Sequence, residues 1–552
     1  MDQARVKTST RWLLLSLAIA VLVCLPILSV VYLAFNPSEN IWPHLLDTVL
    51  GHYLSTTLVL MLCVSVGTML MGVTTAVLVT HYEFPGRSLA SWALLLPFAV
   101  PAYVIAYVYT DLLDYAGPVQ SILREWFGWQ SARDYWFPKI RTLPGAALMF
   151  TLVLYPYVYL LARAAFLEQS ASVQEAARLL GVSRLKRFFL VTFPIARPAI
   201  VVGVAMALME TLNDFGTVDY FAVKTLTAGI YDVWLGMNNL GGGAQIASLL
   251  LSFVAVLFVL EKFSRRHQQH FQSVSRRFQR ARRTRLRGLQ AALATCACAI
   301  PILLGFGIPA IVLTRYAIRY FDVSWNSDFL QIAWNSIALS SAAALIAVGI
   351  GILLSYSLRL NKHPLLTLTS NLSRLGYAVP GAVLAIGIIV PFAAFDNTLD
   401  AMSRQWFGIS TGLLLSGTVF ALIFAYIVRF LAVAFGGIDA AMNKISSNMD
   451  DAARSLGRGT GSILWNIHIP LIRSSLLSAA LVVFVDCMKE LPATLVLRPF
   501  NFDTLATHVY QYASDELLGE SALAALLIVA VGLIPVILLS RSIDRSARGV
   551  SP

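Results

Sequence analysis

Ten stretches of this chain run for 20 residues or more without a single Asp, Glu, Lys or Arg: 12–38, 55–80, 88–110, 142–162, 233–260, 288–314, 331–358, 375–395, 405–428 and 521–540. The hydrocarbon core of a bilayer is crossed by about 20 apolar residues of helix, and a helix satisfies its own backbone hydrogen bonds where no water is present. Each stretch is therefore long enough to span. Two shorter runs, 198–209 and 474–485, stop at an acid and then continue apolar. Counted as the fifth and eleventh helices, they make twelve, and the chain reads as an all-α integral membrane protein. Composition agrees, since 58% of the 552 residues are hydrophobic and 13% charged, whereas soluble chains carry roughly a quarter charged residues. A soluble enzyme is excluded.

The formal net charge is +12, and its placement decides what it means. The densest block, 262–287, holds Arg265, Arg266, Arg276, Arg277, Arg280, Arg282, Arg283, Arg285 and Arg287 between two uncharged spans. Loops rich in Lys and Arg stay on the cytoplasmic face, so the block reads as a cytoplasmic linker and no nucleic acid partner is expected. Twelve crossings then put both termini in the cytoplasm, with Arg5, Lys7 and Arg11 at one end and Arg541, Arg545 and Arg548 at the other. Residues 39–51 fall outside and contain no Lys or Arg. The first apolar run is too long for a signal-peptide core and is followed by no small-x-small cleavage site, so it reads as a retained helix. Cys24, Cys63, Cys296, Cys298 and Cys487 lie in or beside spans, without metal or redox spacing. Neither a cofactor nor a metal site is expected.

The chain contains an internal repeat. Residues 174–199, QEAARLLGVSRLKRFFLVTFPIARPA, match 450–475, DDAARSLGRGTGSILWNIHIPLIRSS, at the 276-residue separation of Ala176 from Ala452. The same shift brings helix 2 onto helix 8, and Glu210 and Asp214 onto Asp486 and Glu490. It fails around helices 3 and 4, where 111–141 is much longer than 396–404. The expected organisation is a tandem duplication: a six-helix unit over 1–262, a basic linker over 263–287 and a second unit over 288–552. An even number of helices per unit makes the halves parallel, related by a pseudo-twofold axis along the membrane normal.

The repeated motif has a physical reading. Gln174 to Leu180 are good helix formers, and Gly181 stands where a left-handed residue would end the helix. A second helix is expected from about 183 to 192, ending before Pro194. Ala176 and Ala177 leave a low surface that another protein can approach, edged by Glu175 and Arg178 at i and i+3.

At these residues the sequence resembles the inner-membrane permeases of binding-protein-dependent ABC importers, whose motif is E-A-A, three residues, Gly, nine residues, then I-x-L-P. Residues 175–194 keep the spacing, with Val191 and Phe193 at the aliphatic positions; 451–470 keep it with Ile467 and Ile469, and with Asp451 in place of Glu. The resemblance implies a fused pair of type I permease units in a bacterial inner membrane, and coupling helices that carry Glu175, Ala176, Ala177 and Gly181 in one copy and Asp451, Ala452, Ala453 and Gly457 in the other. It also implies two copies of an ATPase subunit on the cytoplasmic face, an extracytoplasmic substrate-binding protein, and surrounding membrane lipid. Residues 209–234 and 486–516 look like those of bacterial ferric-iron permeases, with thiamine and polyamine permeases as near relatives. A twelve-helix secondary transporter is the more distant alternative, although it has no reason to carry twin alanine-rich helices in the cytoplasm.

No lysine follows a glycine anywhere in the chain, so the Gly-Lys-Ser/Thr of a phosphate-binding loop is missing, and ATP hydrolysis is expected on a partner. The Gly305-Phe306-Gly307 run falls inside a span and is not read as a nucleotide loop. The acids Glu210, Asp214, Asp486 and Glu490 sit near the outer ends of helices 5 and 11, four residues apart in each half. Intramembrane ionisable groups usually face a bundle interior or a water-filled cavity, so these four are candidates for a cation translocation path. The alternative is that they lie at the membrane surface and balance Lys489 or structural amides.

Overall fold

The computed structural model describes residues 2–37, 39–167, 169, 179–180, 183–272, 283–360 and 363–548. Among them, eleven helices are long and apolar enough to cross a membrane. A bent pair, Arg87–Ala99 followed by Ala102–Phe127 and turned by 92°, makes a twelfth when counted as one span. The sequence predicted one continuous helix over 88–110. Pro97 and Pro101 break it, because neither has an amide hydrogen to continue the ladder.

The helices used below are α1 (Asp2–Phe35), α2 (Leu50–His81), α3 (Pro118–Phe127), α4 (Leu143–Leu167), α5 (Phe193–Asn213), α6 (Gly216–Tyr220), α7 (Leu226–Tyr231), α8 (Ser327–Leu360), α9 (Gly381–Phe407), α10 (Val419–Met442), α11 (Ser447–Ser455), α12 (Ile469–Met488), α13 (Pro492–Leu497) and α14 (Leu505–Ser514). The backbone forms two compact units. One contains Met1–Trp42, Ile230–Leu251 and Trp325–His508; the other contains Pro43–Gly229, Ser252–Ser324 and Val509–Pro552. Neither is a continuous half of the sequence.

In the first unit, α1 packs on α9, a helix of the second repeat. A side chain at Gly387 would meet the Pro26 carbonyl oxygen at 2.2 Å, so the glycine is what lets the two backbones approach. In the second unit, Gly305 does the same for the helix that opens the second repeat. A Cβ there would lie 2.8 Å from the Leu152 carbonyl oxygen and from Pro97, and Tyr109 donates to the Leu304 carbonyl at 2.8 Å. The Gly305-Phe306-Gly307 run thus sits inside a helix, and the reason for its first glycine is packing.

The repeat also shows in local devices. Thr57 on α2 accepts the Leu226 amide at the start of α7, and Ser336 on α8 accepts the Leu505 amide at the start of α14. Wide π turns occupy Phe188–Thr192 and Leu464–His468, just before α5 and α12. The expected stop before Pro194 is not found. The helix passes through Pro194 as its twin passes through Pro470, because the wide turn rearranges the hydrogen bonds at the place where proline has no donor. Where the 276-residue shift fails, a second match appears. Arg124-Glu125-Trp126-Phe127-Gly128 and Arg404-Gln405-Trp406-Phe407-Gly408 end α3 and α9 alike, with the glycines at φ 70° and 68° and both Trp-Phe pairs exposed.

Candidate functional site

In the first copy of the repeated motif, Glu175, Ala176, Ala177 and Gly181 lie outside the described residues, as does Arg178. The second copy is described in full. The Ser446 side chain accepts the Asn448 amide at 3.3 Å and opens α11, since a serine oxygen satisfies an amide that the first turn leaves over. The helix ends at Gly457, whose φ of 78° is left-handed. There the Gly457 and Arg458 amides turn back onto the carbonyls of Arg454 and Ala453, at 2.9 and 3.0 Å. The glycine turn that the sequence predicts is thus present in this copy.

On α11 the two alanines point differently: Ala453 is buried and Ala452 exposed. Asp451 is exposed and pairs with Arg454 at 3.3 Å, forming the i, i+3 charged edge. Beside this edge Met449 is 42% exposed and Leu456 is 82% exposed. Leu180, which occupies the Leu456 position in the first copy, is 81% exposed. A leucine this bare at the same point of both repeats is a shared surface feature that the sequence does not single out, because any leucine in an apolar chain looks ordinary there.

The four acids sit at breaks in the helices. Near the end of α5, the Tyr157 hydroxyl donates to Glu210 Oε1 at 3.4 Å. The helix stops at Asn213, and Asp214 accepts the Thr217 amide at 2.8 Å in the first turn of α6. After α12, Glu490 takes the equivalent place and accepts the Ala493 amide at 2.9 Å in the first turn of α13. Both second acids therefore hold the start of the short helix after the break. Asp486 is half-buried on the last turn of α12.

Glu490 has a further partner. Its Oε2 accepts from Arg429 Nη1 on α10, and the two side chains are 3% and 8% exposed. Gly381 makes the room, since a Cβ there would lie 2.6 Å from Glu490 Oε1 and 2.9 Å from Arg429 Nη1. From sequence, Lys489 or structural amides are the expected partners of this acid, and Arg429 is not among them; the one signal for it is that this arginine interrupts the apolar span of α10.

Comparison with known proteins supplies the remaining context. The family model described as binding-protein-dependent transport system inner membrane component matches twice, over residues 68–269 and 347–549. A Haemophilus influenzae protein named Fe(3+)-transport system permease protein FbpB 2 is 26% identical over 96% of this chain and 98% of its own length. The ferric transport system permease protein FbpB of Actinobacillus pleuropneumoniae is 22% identical over 79% of this chain and 63% of its own length. The molybdenum transport system permease protein ModB of Escherichia coli is 27% identical over 34% of this chain and 81% of its own length.

Proposed function

Because the chain belongs to the family of inner membrane components of binding-protein-dependent transport systems, we propose that it forms the membrane path of an ATP-driven importer for ferric iron. A separate extracytoplasmic protein delivers the iron, and two copies of a separate ATPase subunit drive its movement. The observation that carries this reading is the similarity to a ferric permease over nearly the full length of both chains. The sequence division into units at 1–262 and 288–552, joined by a cytoplasmic linker, belongs to the same reading.

In this mechanism each repeated motif docks its short helix on one ATPase subunit. Leu180 and Leu456 are the apolar knobs, and Glu175 and Asp451 lie beside them. Closing of the ATPase pair on ATP moves both helices, and the spans they connect open the path inward. Glu210, Asp214 and Asp486 line that path, while Arg429 holds Glu490. Acidic side chains along the path favour a cation without chelating it so tightly that release is blocked.

The test is ATP-dependent uptake of radioactive ferric iron into proteoliposomes containing the chain, its ATPase and its binding protein, with molybdate as the competing substrate. Iron uptake is expected. In the triple variant Glu210→Gln, Asp214→Asn, Asp486→Asn it should fall about tenfold or more at unchanged protein level, the scale on which a focused charge raises local ion concentration. Normal iron uptake in that variant removes the acids from the path, and uptake of molybdate instead of iron replaces the substrate. Orientation has its own check. A single cysteine at Gln272, in a background lacking the native cysteines, should react with a membrane-impermeant thiol reagent only once the inner face is opened. Labelling from outside intact cells reverses the topology.

A further inference from the structure

Asp450 precedes the repeated Asp-Ala-Ala run and points the other way from Asp451. It is 6% exposed and sits between two membrane helices. Arg359, in the last turn of α8, donates through Nε to Asp450 Oδ2 at 2.7 Å. The same guanidinium donates through Nη1 to the Met442 carbonyl at 2.8 Å and through Nη2 to the Ile445 and Ser446 carbonyls at 3.0 and 3.1 Å. One side chain thus holds the end of α10, the turn after it and the start of α11.

On the other side, His468 closes the π turn that leads into α12 and is fully buried. Its Nε2 lies 2.8 Å from Asp450 Oδ1. A carboxylate only accepts, so Nε2 carries the hydrogen. His468 Nδ1 is buried with no partner among the described residues, so the imidazole's hydrogen bonding at this site is directed at Asp450 alone. The Tyr356 ring packs edge-on against the imidazole at 5.5 Å, and its hydroxyl donates to the Thr460 carbonyl at 2.6 Å.

Burial would raise the Asp450 carboxyl, but hydrogen bonds from Arg359 and His468, with electrostatic attraction, outweigh it and hold the group below its ordinary 3.8. For a depressed acid the stabilisation is complete above the ordinary value and is lost only as the pH falls below it. The carboxylate therefore stays charged at any cytoplasmic pH.

The sequence of the first repeat does not carry the same three residues. Gln174 stands at the Asp450 position and Thr192 at the His468 position, and α2 ends in Val79-Thr80-His81 with no arginine in its last turn.

We propose that Asp450 is a positioning residue for energy coupling. By sharing its two oxygens between Arg359 and His468, it fixes the second coupling helix to the ends of α8 and α12, so that movement of α11 is passed to both spans. This rests on the reading of α11 as a coupling helix. In proteoliposomes with ATPase and binding protein, Asp450→Asn should keep the ATPase bound and hydrolysing. Substrate moved per ATP should fall about tenfold, the scale of losing a charge-assisted contact. An unchanged ratio in Asp450→Asn overturns the proposal. Should that variant not accumulate, Arg359→Lys and His468→Gln each weaken one arm, and a lowered ratio is expected in both; wild-type ratios in both overturn it equally. Gly457→Val separates the two levels of the argument. Normal transport in that variant removes α11 from coupling altogether, whereas its failure beside a normal Asp450→Asn sinks only the clamp.

Discussion

Glu490→Gln should sharply reduce the amount of folded protein in the membrane. Arg429 and Glu490 are both nearly sealed from solvent, and Glu490 also holds the start of α13. Glutamine can keep the amide contact, but it leaves a guanidinium buried without its counter-charge. Removing one member of a buried pair costs roughly 3–5 kcal/mol, whereas replacing both by apolar groups of similar size is often neutral or better. Adding Arg429→Met to Glu490→Gln should therefore restore the protein level. The measurement is membrane-inserted, monodisperse protein after detergent extraction, for both single variants and the double. Equal, wild-type yields in all three would show that the pair is not a structural tie. The same comparison separates Glu490 from Glu210, Asp214 and Asp486, whose neutralisation is expected to affect uptake rather than yield.

Gly457→Val should abolish transport while the protein still accumulates. At φ 78° the glycine holds a left-handed turn, which costs an L-residue roughly 1–2 kcal/mol, and more when the side chain is β-branched. A Cβ at this position would meet nothing within 4 Å. The penalty is therefore conformational, and the chain can relieve it by moving the exit of α11 without disturbing a packed core. Uptake and protein level measured together in Gly457→Val, and in Gly181→Val at the matching place of the first repeat, are expected to show lost uptake at normal level. Wild-type uptake in both variants would take the two loops out of the mechanism. Neutralising Glu175 and Asp451 should have unequal effects, because Asp451 is the shorter side chain and already pairs with Arg454.

Much of this architecture was legible in the sequence because its causes are local or periodic. A span must be long and uncharged to cross hydrocarbon, so the apolar runs announced the helices. Their ends were less legible: the uncharged run 405–428 begins well before α10 starts at Val419, because absence of charge does not distinguish a helix from an apolar loop. A left-handed turn calls for glycine, so Gly457 could be identified before its φ was known. The duplicated motif was readable because both copies keep the same spacing over the same functional stretch. The Arg-x-Trp-Phe-Gly pair was equally present, but it lay where loop lengths had drifted and a fixed shift no longer found it.

Partnerships across the fold were decided by tertiary structure. Nothing near Glu490 in sequence names Arg429, which lies on another helix and meets it only because Gly381 leaves a gap between them. Nothing beside Asp450 in sequence names Arg359 and His468, which reach it from two further helices. The packing of α1 against a helix of the second repeat is of the same kind, resting on the one glycine that faces Pro26. Helix formation answers to the residues within a few turns, and the sequence by itself determined the spans, the repeat and the turn of the motif. A buried charge instead must be matched by whatever packing brings within reach, and that distance in space leaves no trace in the spacing along the chain.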